Sequence, residues 1–325
     1  MTPNPVAPFG VREATPADEP EVRALIAEMI PGVDVAARWR WMYEQNPGGR
    51  ALTWLAIAPS GEVAGCTSFF PFRMWLDGAE VRGALGGDGY VRPAFRRKGL
   101  GGLLHDASRR DMPAHAIGCM YGAPGAMNVT PLKHGGSREL GAVARFVRPL
   151  RVGPLPLVGP RGAWLEPMAS HDPRVDAVWS EARTELRLAA VRDAAFYQWR
   201  FRDAPAQKQA AYVILDGATP IGACALESLG DGAELHVVDL VAVPRAWHAC
   251  LRAIARHGAT ATRARIASIK LFAIDARRRG MLRAGFVERE GKPFLCMIPA
   301  GGDRRFIDPQ RWFYCGGDSD LDTLA

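Results

Sequence analysis

The sequence predicts a mixed α/β (α+β) fold in which one unit is used twice, each copy a mixed, mostly antiparallel sheet with flanking helices. Three observations predict it. Helix, helix, antiparallel strands, a crossover helix and a further strand follow one another, without the repeated βαβ alternation of a doubly wound sheet. Landmarks of the first half return in the same order in the second. At 325 residues the chain exceeds the usual single domain, and 48% hydrophobic with 23% charged residues is ordinary globular composition.

The elements can be justified in turn. In "REATPADEPEVRALIAEMI" Thr15 is the expected N-cap, Pro16 occupies the first helical position and Asp18 reaches back from the first turn. Val22, Leu25, Ile26 and Met29 then form one apolar stripe. A second helix, around Ala36 to Gln45, carries Trp39, Trp41, Met42 and Tyr43 and ends at Asn46-Pro47-Gly48-Gly49. "LTWLAIA" and "VAGCTSFFPFRMWL" flank the turn Pro59-Ser60-Gly61-Glu62 as an antiparallel pair, and Asp77-Gly78 turns into "VRGALGGDGYV". A helix from about Leu100 to Asp111 and the strand "HAIGCMYGA" follow.

"WMYEQNP" at Trp41 to Pro47 matches "WRFRDAP" at Trp199 to Pro205. Each is followed by a strand, a turn and a Gly near a Cys, and then "DGYVRP" at Asp88 to Pro93 matches "DLVAVP" at Asp239 to Pro244. A duplicated unit is expected, with the first domain at 1–150, a Pro/Gly-rich linker at 151–172 and a second domain at 173–325. The copies are unequal: "AFRRKGLGGLL" in the first stands where the second has "RAWHACLRAIA", without glycine.

Composition excludes several classes. No apolar run approaches the ~20 residues of a membrane span. The opening residues show neither the basic nor the apolar region of a secretory signal, so a cytoplasmic protein is expected. The six cysteines and seven histidines form no metal-ligand spacing, so reduced buried thiols and no metal are expected. The formal charge of +7 suits a polyanionic partner, but the arginines are dispersed among acids and do not form the basic face of a nucleic-acid binder.

"VRPAFRRKGLGGLL", residues 91–104, is the most informative stretch. A strand ending near Pro93 leads through three cations and three glycines into a helix. Glycines let backbone N–H groups converge, and a helix N-terminus adds about half a positive charge. That arrangement suits a diphosphate. A P-loop is disfavoured because G-x-x-x-x-G-K-[ST] is absent, and a Rossmann site because G-x-G-x-x-G is absent and the preceding strands are antiparallel. The alternative is a basic surface loop whose glycines only cap and pack a helix.

The stretch Asp88 to Leu104 resembles the acyl-CoA signature of the GNAT superfamily of N-acyltransferases, R/Q-x-x-G-x-G/A, through Arg96, Gly99 and Gly101, with Val91, Pro93 and Phe95 in the flanking pattern. The opening "VREATPADEPEVRALI" and the second-half "MLRAGFVERE" are similar to the family's first and last elements. The resemblance implies two tandem GNAT-like domains with splayed central strands, the second degenerate. It implies acetyl-CoA or another acyl-CoA as co-substrate, its pantetheine lying along the splayed strand near Tyr90 and Val91. Backbone amides of Arg97, Lys98, Gly99, Leu100, Gly101 and Gly102 would then cradle the diphosphate beside Arg96, and Asn128 would contact pantetheine. An amine would attack the thioester directly, helped by a base and an acid.

By the same resemblance Asp88 is the expected base, its alternative role being a structural cap on the strand. The family's acid, commonly a Tyr in the helix after the fifth strand, is missing from "NVTPLKHGG", which leaves Tyr121 and His134 as substitutes. Trp39 and Trp41 read as core, and Arg38 and Arg40 as a solvated face or as ligands for an acidic acceptor. The expected activity is transfer of an acyl group, acetyl by default, to a small-molecule amine by a monomer or homodimer, with no nucleic acid and no membrane. The alternative is a CoA-binding or partner-binding module without turnover. A Fem-type aminoacyl transferase also pairs two such units but generally lacks an intact phosphate loop.

Overall fold

A computed structural model describes residues 9–157, 162–272 and 276–319. Its first half runs β1 (Gly10–Glu13), α1 (Glu19–Met29), α2 (Val35–Arg38), β2 (Leu52–Ile57), β3 (Val63–Leu76), β4 (Ala79–Val91), α3 (Leu100–Asp111), β5 (Met120–Gly122), α4 (Ala126–His134) and β6 (Arg138–Pro149). The apolar stripe places Val22, Leu25 and Ile26 of α1 in the core. Thr15 and Asp18 bond each other as the sequence suggests, but they cap a short 3₁₀ turn, Pro16–Asp18, ahead of α1 proper. The second expected helix is a single α-turn that widens into a π-helical turn at Trp39–Glu44, which directs Trp41, Met42 and Tyr43 inward together.

The stretch after β6 holds a small hairpin, β7 (Arg151–Val152) with β8 (Leu155–Pro156), and β9 (Trp164–Pro167). The second half continues with α5 (Pro173–Ala182), β10 (Leu188–Ala190), α6 (Ala194–Tyr197), β11 (Gln209–Asp216), β12 (Thr219–Leu229), β13 (Glu234–Ala242), α7 (Trp247–Ala261), β14 (Ile266–Phe272), α8 (Ala276–Arg283), β15 (Val287–Met297) and β16 (Tyr314–Cys315). From β9 to β15 the order repeats that from β1 to β6, with β10 added. β9 lies within the stretch expected as a linker, yet it is an edge strand, paired antiparallel with β11 from Trp164 to Pro167. Residues 158–161 of that stretch lie outside the described residues.

All strands but the β7–β8 hairpin join in one sheet ordered β1-β2-β3-β4-β5-β15-β6-β14-β13-β12-β11-β9, with β10 beside β3 and β16 beside β14. The centre is an exchange: β15 of the second half pairs with β5 of the first, and β6 of the first pairs with β14 of the second. Each half thus completes the other's sheet, and β6 and β15 pair antiparallel along the junction. Behind the sheet the π-turns meet: Trp41 Nε1 donates to Trp199 O at 2.7 Å, and Trp199 Nε1 donates to Trp41 O at 2.9 Å. The stacked rings lie 5.5 Å apart. A reciprocal contact of this kind is what an approximate twofold produces, and it explains why Trp recurs in both halves.

Replacing Trp41 with Phe removes one donor and leaves a buried carbonyl unsatisfied. We expect Trp41→Phe to cost about 1–3 kcal/mol in urea unfolding, with Trp199→Phe similar and the double variant less than additive.

Candidate active site

β4 parts from β5. The two strands pair in parallel only at Ala84 with Met120 and Leu85 with Tyr121, so β4 from Gly86 to Val91 has no partner strand on that side among the described residues. On its other side β4 stays paired with β3 as far as Val91, but the register shifts between Cys66 and Ser68. There Asp88 and Gly89 stand opposite Thr67, and Asp88 adopts φ +45°. This bulge turns the strand away from its neighbour.

A buried ion pair holds the bulge. Arg38 Nη2 donates to Asp88 Oδ1 at 2.7 Å, and Tyr43 Oη donates to Asp88 Oδ2 at 2.7 Å. Since Tyr43 gives its proton to Asp88, Ser68 donates to Tyr43 (3.2 Å) and Thr53 to Ser68 (2.9 Å), a chain of hydroxyls ending on the carboxylate. Burial and the Asp88 charge push the Tyr43 hydroxyl well above its usual pKa, so it stays a donor. Cys66 beside the bulge is pushed up to about 12 by burial and is no thiolate nucleophile.

This changes the reading of Asp88. Its side chain is 1% exposed and committed to Arg38 and Tyr43, so it anchors the strand and is not placed as a free base. Arg38 is accordingly no surface cation but a buried partner. Tyr121 is enclosed by Phe72, Phe294, Trp312 and Tyr314, and burial drives its pKa well up, so it packs the core. His134 and Asn128 are exposed on α4. No hydrogen bond among the described residues joins Asp88, Tyr121 and His134. Trp39 stacks on Tyr43 at 4.4 Å and Trp41 is buried, as core residues should be.

The glycine-cation loop, by contrast, is open. Gly99 caps α3 with φ +79°, and Arg97 also has positive φ (+64°). Leu103 N–H is the first to close a helical bond, to Gly99 O at 3.2 Å. The N–H groups of Leu100, Gly101 and Gly102 precede it and have no acceptor among the described residues. A Cβ placed on Gly99, Gly101 or Gly102 would meet nothing within 4 Å. Internal packing therefore does not call for glycine at 101 or 102, and the space over them is open. Arg96, Arg97 and Lys98 are exposed and form no ion pair among the described residues. Arg96 Nε donates to Val91 O at 3.0 Å, while the Lys98 ammonium lies 5.3 Å from the Phe95 ring centre. Open amides, three cations and an unpartnered strand edge together fit a diphosphate carried on an extended arm. Among the described residues no three His, Cys, Asp or Glu side chains gather as metal ligands, and no helix is long and apolar enough to cross a membrane.

The second half repeats the bulge with a similar cluster. β12 and β13 shift register between Ala225 and Leu226. Arg192 Nη2 donates to Asp239 Oδ1 at 3.1 Å, and Tyr197 Oη to Asp239 Oδ2 at 2.9 Å. Arg and Tyr at the same separation precede the sheet in both halves, a signal present in the sequence that composition and motif reading pass over. Here, however, the gap is filled. β16 pairs with β14, and the turn behind it is wedged against β13: a Cβ on Gly316 would lie 2.6 Å from Val238 O, and one on Gly317 2.7 Å from Asp239 Oδ1. Arg192 also donates to Asp318, and Arg200 to Gly317 O and Ser319 O. The chain's own tail thus lies where the first half leaves β4 unpaired. The linking loop is shortened as well, to residues 243–246 against 92–99 in the first half.

Arg192 faces two carboxylates, Asp239 and Asp318, so one negative charge is in excess, and burial raises Asp318 to about 6. An unfolded Asp titrates near 3.9. Between those values the native state binds more protons than the unfolded one, so this group's contribution to stability grows as pH falls and is lost as pH rises through about 6. We predict that, relative to Asp318→Asn, the wild type gains about 1 kcal/mol on going from pH 7 to pH 5 in urea titrations. Parallel curves for the two proteins would contradict this.

No protein-family model matches the chain, and no curated protein sequence matches it. Solved structures do. A GCN5-related N-acetyltransferase from Anabaena variabilis is 16% identical, with a TM-score of 0.67 over 90% of this chain and 73% of that one. A probable N-acyltransferase from Enterococcus faecalis is 11% identical, with a TM-score of 0.70 and the same coverage. Saccharomyces cerevisiae N-myristoyltransferase, solved with bound myristoyl-CoA, is 12% identical, with a TM-score of 0.56 over 90% and 83%. The parted strands, the glycine-opened helix and these likenesses agree: the chain has the GNAT fold, as its sequence resemblance implied.

Proposed function

We propose that the chain is an N-acyltransferase that moves an acyl group, acetyl by default, from acyl-CoA to an amine in a ternary complex, using the first-half site alone. The observation that supports this most is the set of N–H groups at Leu100 to Gly102 that find no acceptor among the described residues and lie beneath open space, beside cations with no acidic partner among those residues. The fold neighbours, one of them holding an acyl-CoA, support the same co-substrate.

In this reading Leu100, Gly101 and Gly102 donate to the diphosphate while Arg96 to Lys98 supply charge. The free edge of β4 pairs with the pantetheine arm, which lays the thioester near Tyr90 and Val91. A main-chain N–H at the bulge then stabilises the oxyanion. The neutral amine nitrogen forms the new C–N bond and gives up one proton to solvent water, while the C–S bond breaks and the thiolate leaves with the electron pair. A thiol of ordinary pKa near 8.5 then takes its proton from water at pH 7, which fits a site where Tyr121 is enclosed. The role of Asp88 is to fix the bulge, so its removal should act through geometry. The tail-filled second half would bind no coenzyme.

Gly101 is the residue on which to test this, because its φ is unstrained and its Cβ space open, whereas Gly99 sits in the left-handed region. Gly101→Glu should weaken CoA binding at least 100-fold by calorimetry while urea stability changes by less than about 0.5 kcal/mol. Wild-type protein should bind one CoA per chain. Unaltered affinity in the variant, or two equivalents bound, would refute the assignment. Affinity without thiol release for any amine would favour a binding module.

A further inference from the structure

The chain holds a cavity of about 120 Å³ at the junction of its halves that the coenzyme site does not use. Its wall includes Ala123, directly after β5, together with residues of β6, β13, β14 and β15 and of the tail. β5 is the strand from which β4 parts, and Gly122 still lies beside Leu85 and Gly86, so this wall begins where the two strands separate. Three cations line it: Arg145, Lys270 and Lys292, with Glu290 the acid among the lining residues. Arg145 is spoken for, since its Nη2 lies 2.7 Å from Glu234 and its Nη1 3.3 Å from Glu290. Lys270 and Lys292 have no ion pair among the described residues. The two exposed ammonium groups therefore leave the cavity electropositive.

The wall is also built firmly. His236 Nδ1 lies 2.8 Å from Ser268 Oγ, and the Ser268 hydroxyl donates to Glu234. Since a carboxylate can only accept, Ser268 spends its proton on Glu234 and takes one from His236. His236 is thereby fixed against β14, next to the strand that presents Lys270. The tail closes the side formed by Tyr314, Gly316 and Ser319.

We propose that this cavity is the acceptor site and that Lys270 and Lys292 select an amine bearing an anionic group, a carboxylate or a phosphate. The inference rests on the acyltransferase reading and adds the substrate class. Two lysines without an ion-pair partner among the described residues bind either group as point charges. They disfavour a polycationic acceptor by repulsion, so charge discriminates on both sides.

The test compares wild type with the Lys270→Glu/Lys292→Glu double variant, measuring thiol release from acetyl-CoA with glycine against glycinamide and phosphoethanolamine against ethanolamine. The expected result is at least a tenfold kcat/KM preference for the anionic member of one pair, lost in the double variant while CoA affinity is unchanged. The pair that shows it separates carboxylate from phosphate. Equal rates within both pairs, or a preference that survives the double variant, overturns the proposal. If CoA binds but no amine is turned over, the acyl-transfer reading fails by itself, and binding decides the cavity. In that arm N-acetylglycine and N-acetylglycinamide are compared by saturation-transfer NMR on CoA-loaded protein. A preference for the acid that vanishes in the double variant supports an anion site, and its absence overturns one.

Discussion

The structure depends on keeping one strand bent away from its neighbour. A sheet gains by pairing every edge, so a gap between β4 and β5 must be enforced. The enforcement is the Asp88 bulge, at a left-handed φ that a non-glycine residue adopts only when its surroundings require it. Arg38, the last residue of α2, and Tyr43, in the π-turn that follows it, supply that requirement from behind the sheet. Because both charges are buried, removing either one leaves the other uncompensated, at a cost of about 3–5 kcal/mol. The same pair thus stabilises the fold and holds the gap open.

The second half shows what becomes of such a gap without a ligand loop. Arg192, Tyr197 and Asp239 reproduce the cluster, and the strands again part. The loop into α7 is short and lacks glycine, and the space is taken by the chain's own β16 and the Gly316–Asp318 turn. Gly316 and Gly317 are required there because any side chain would strike β13. Glycine therefore does opposite work in the two halves: at 101 and 102 it leaves room for something outside the chain, and at 316 and 317 it lets the chain fill its own groove.

Local chemistry made much of this legible in sequence. Helix α3 runs from Leu100 to Asp111 as its glycine-rich start indicates, and β2, β3 and β4 fall between their turn signals. The loop was visible because three cations and three glycines together serve no ordinary packing purpose. What could not be read depends on distant partners. Asp88 looks like a free acid until Arg38, fifty positions earlier, is seen to neutralise it. Tyr121 looks like a hydroxyl near the site until Phe294 and Trp312, from far along the chain, close over it. The exchange of β6 and β15 has no local signature, because it is set by pairing between residues more than a hundred positions apart.

The most direct measurement is amide hydrogen exchange with and without CoA. Protection gained at residues 97–103 with no change at 243–250 is the predicted result, since amides at the mouth of α3 would be closed by the diphosphate while those at α7 have no ligand to meet. Unchanged exchange at 97–103 under saturating CoA, or protection confined to the second half, would contradict the account.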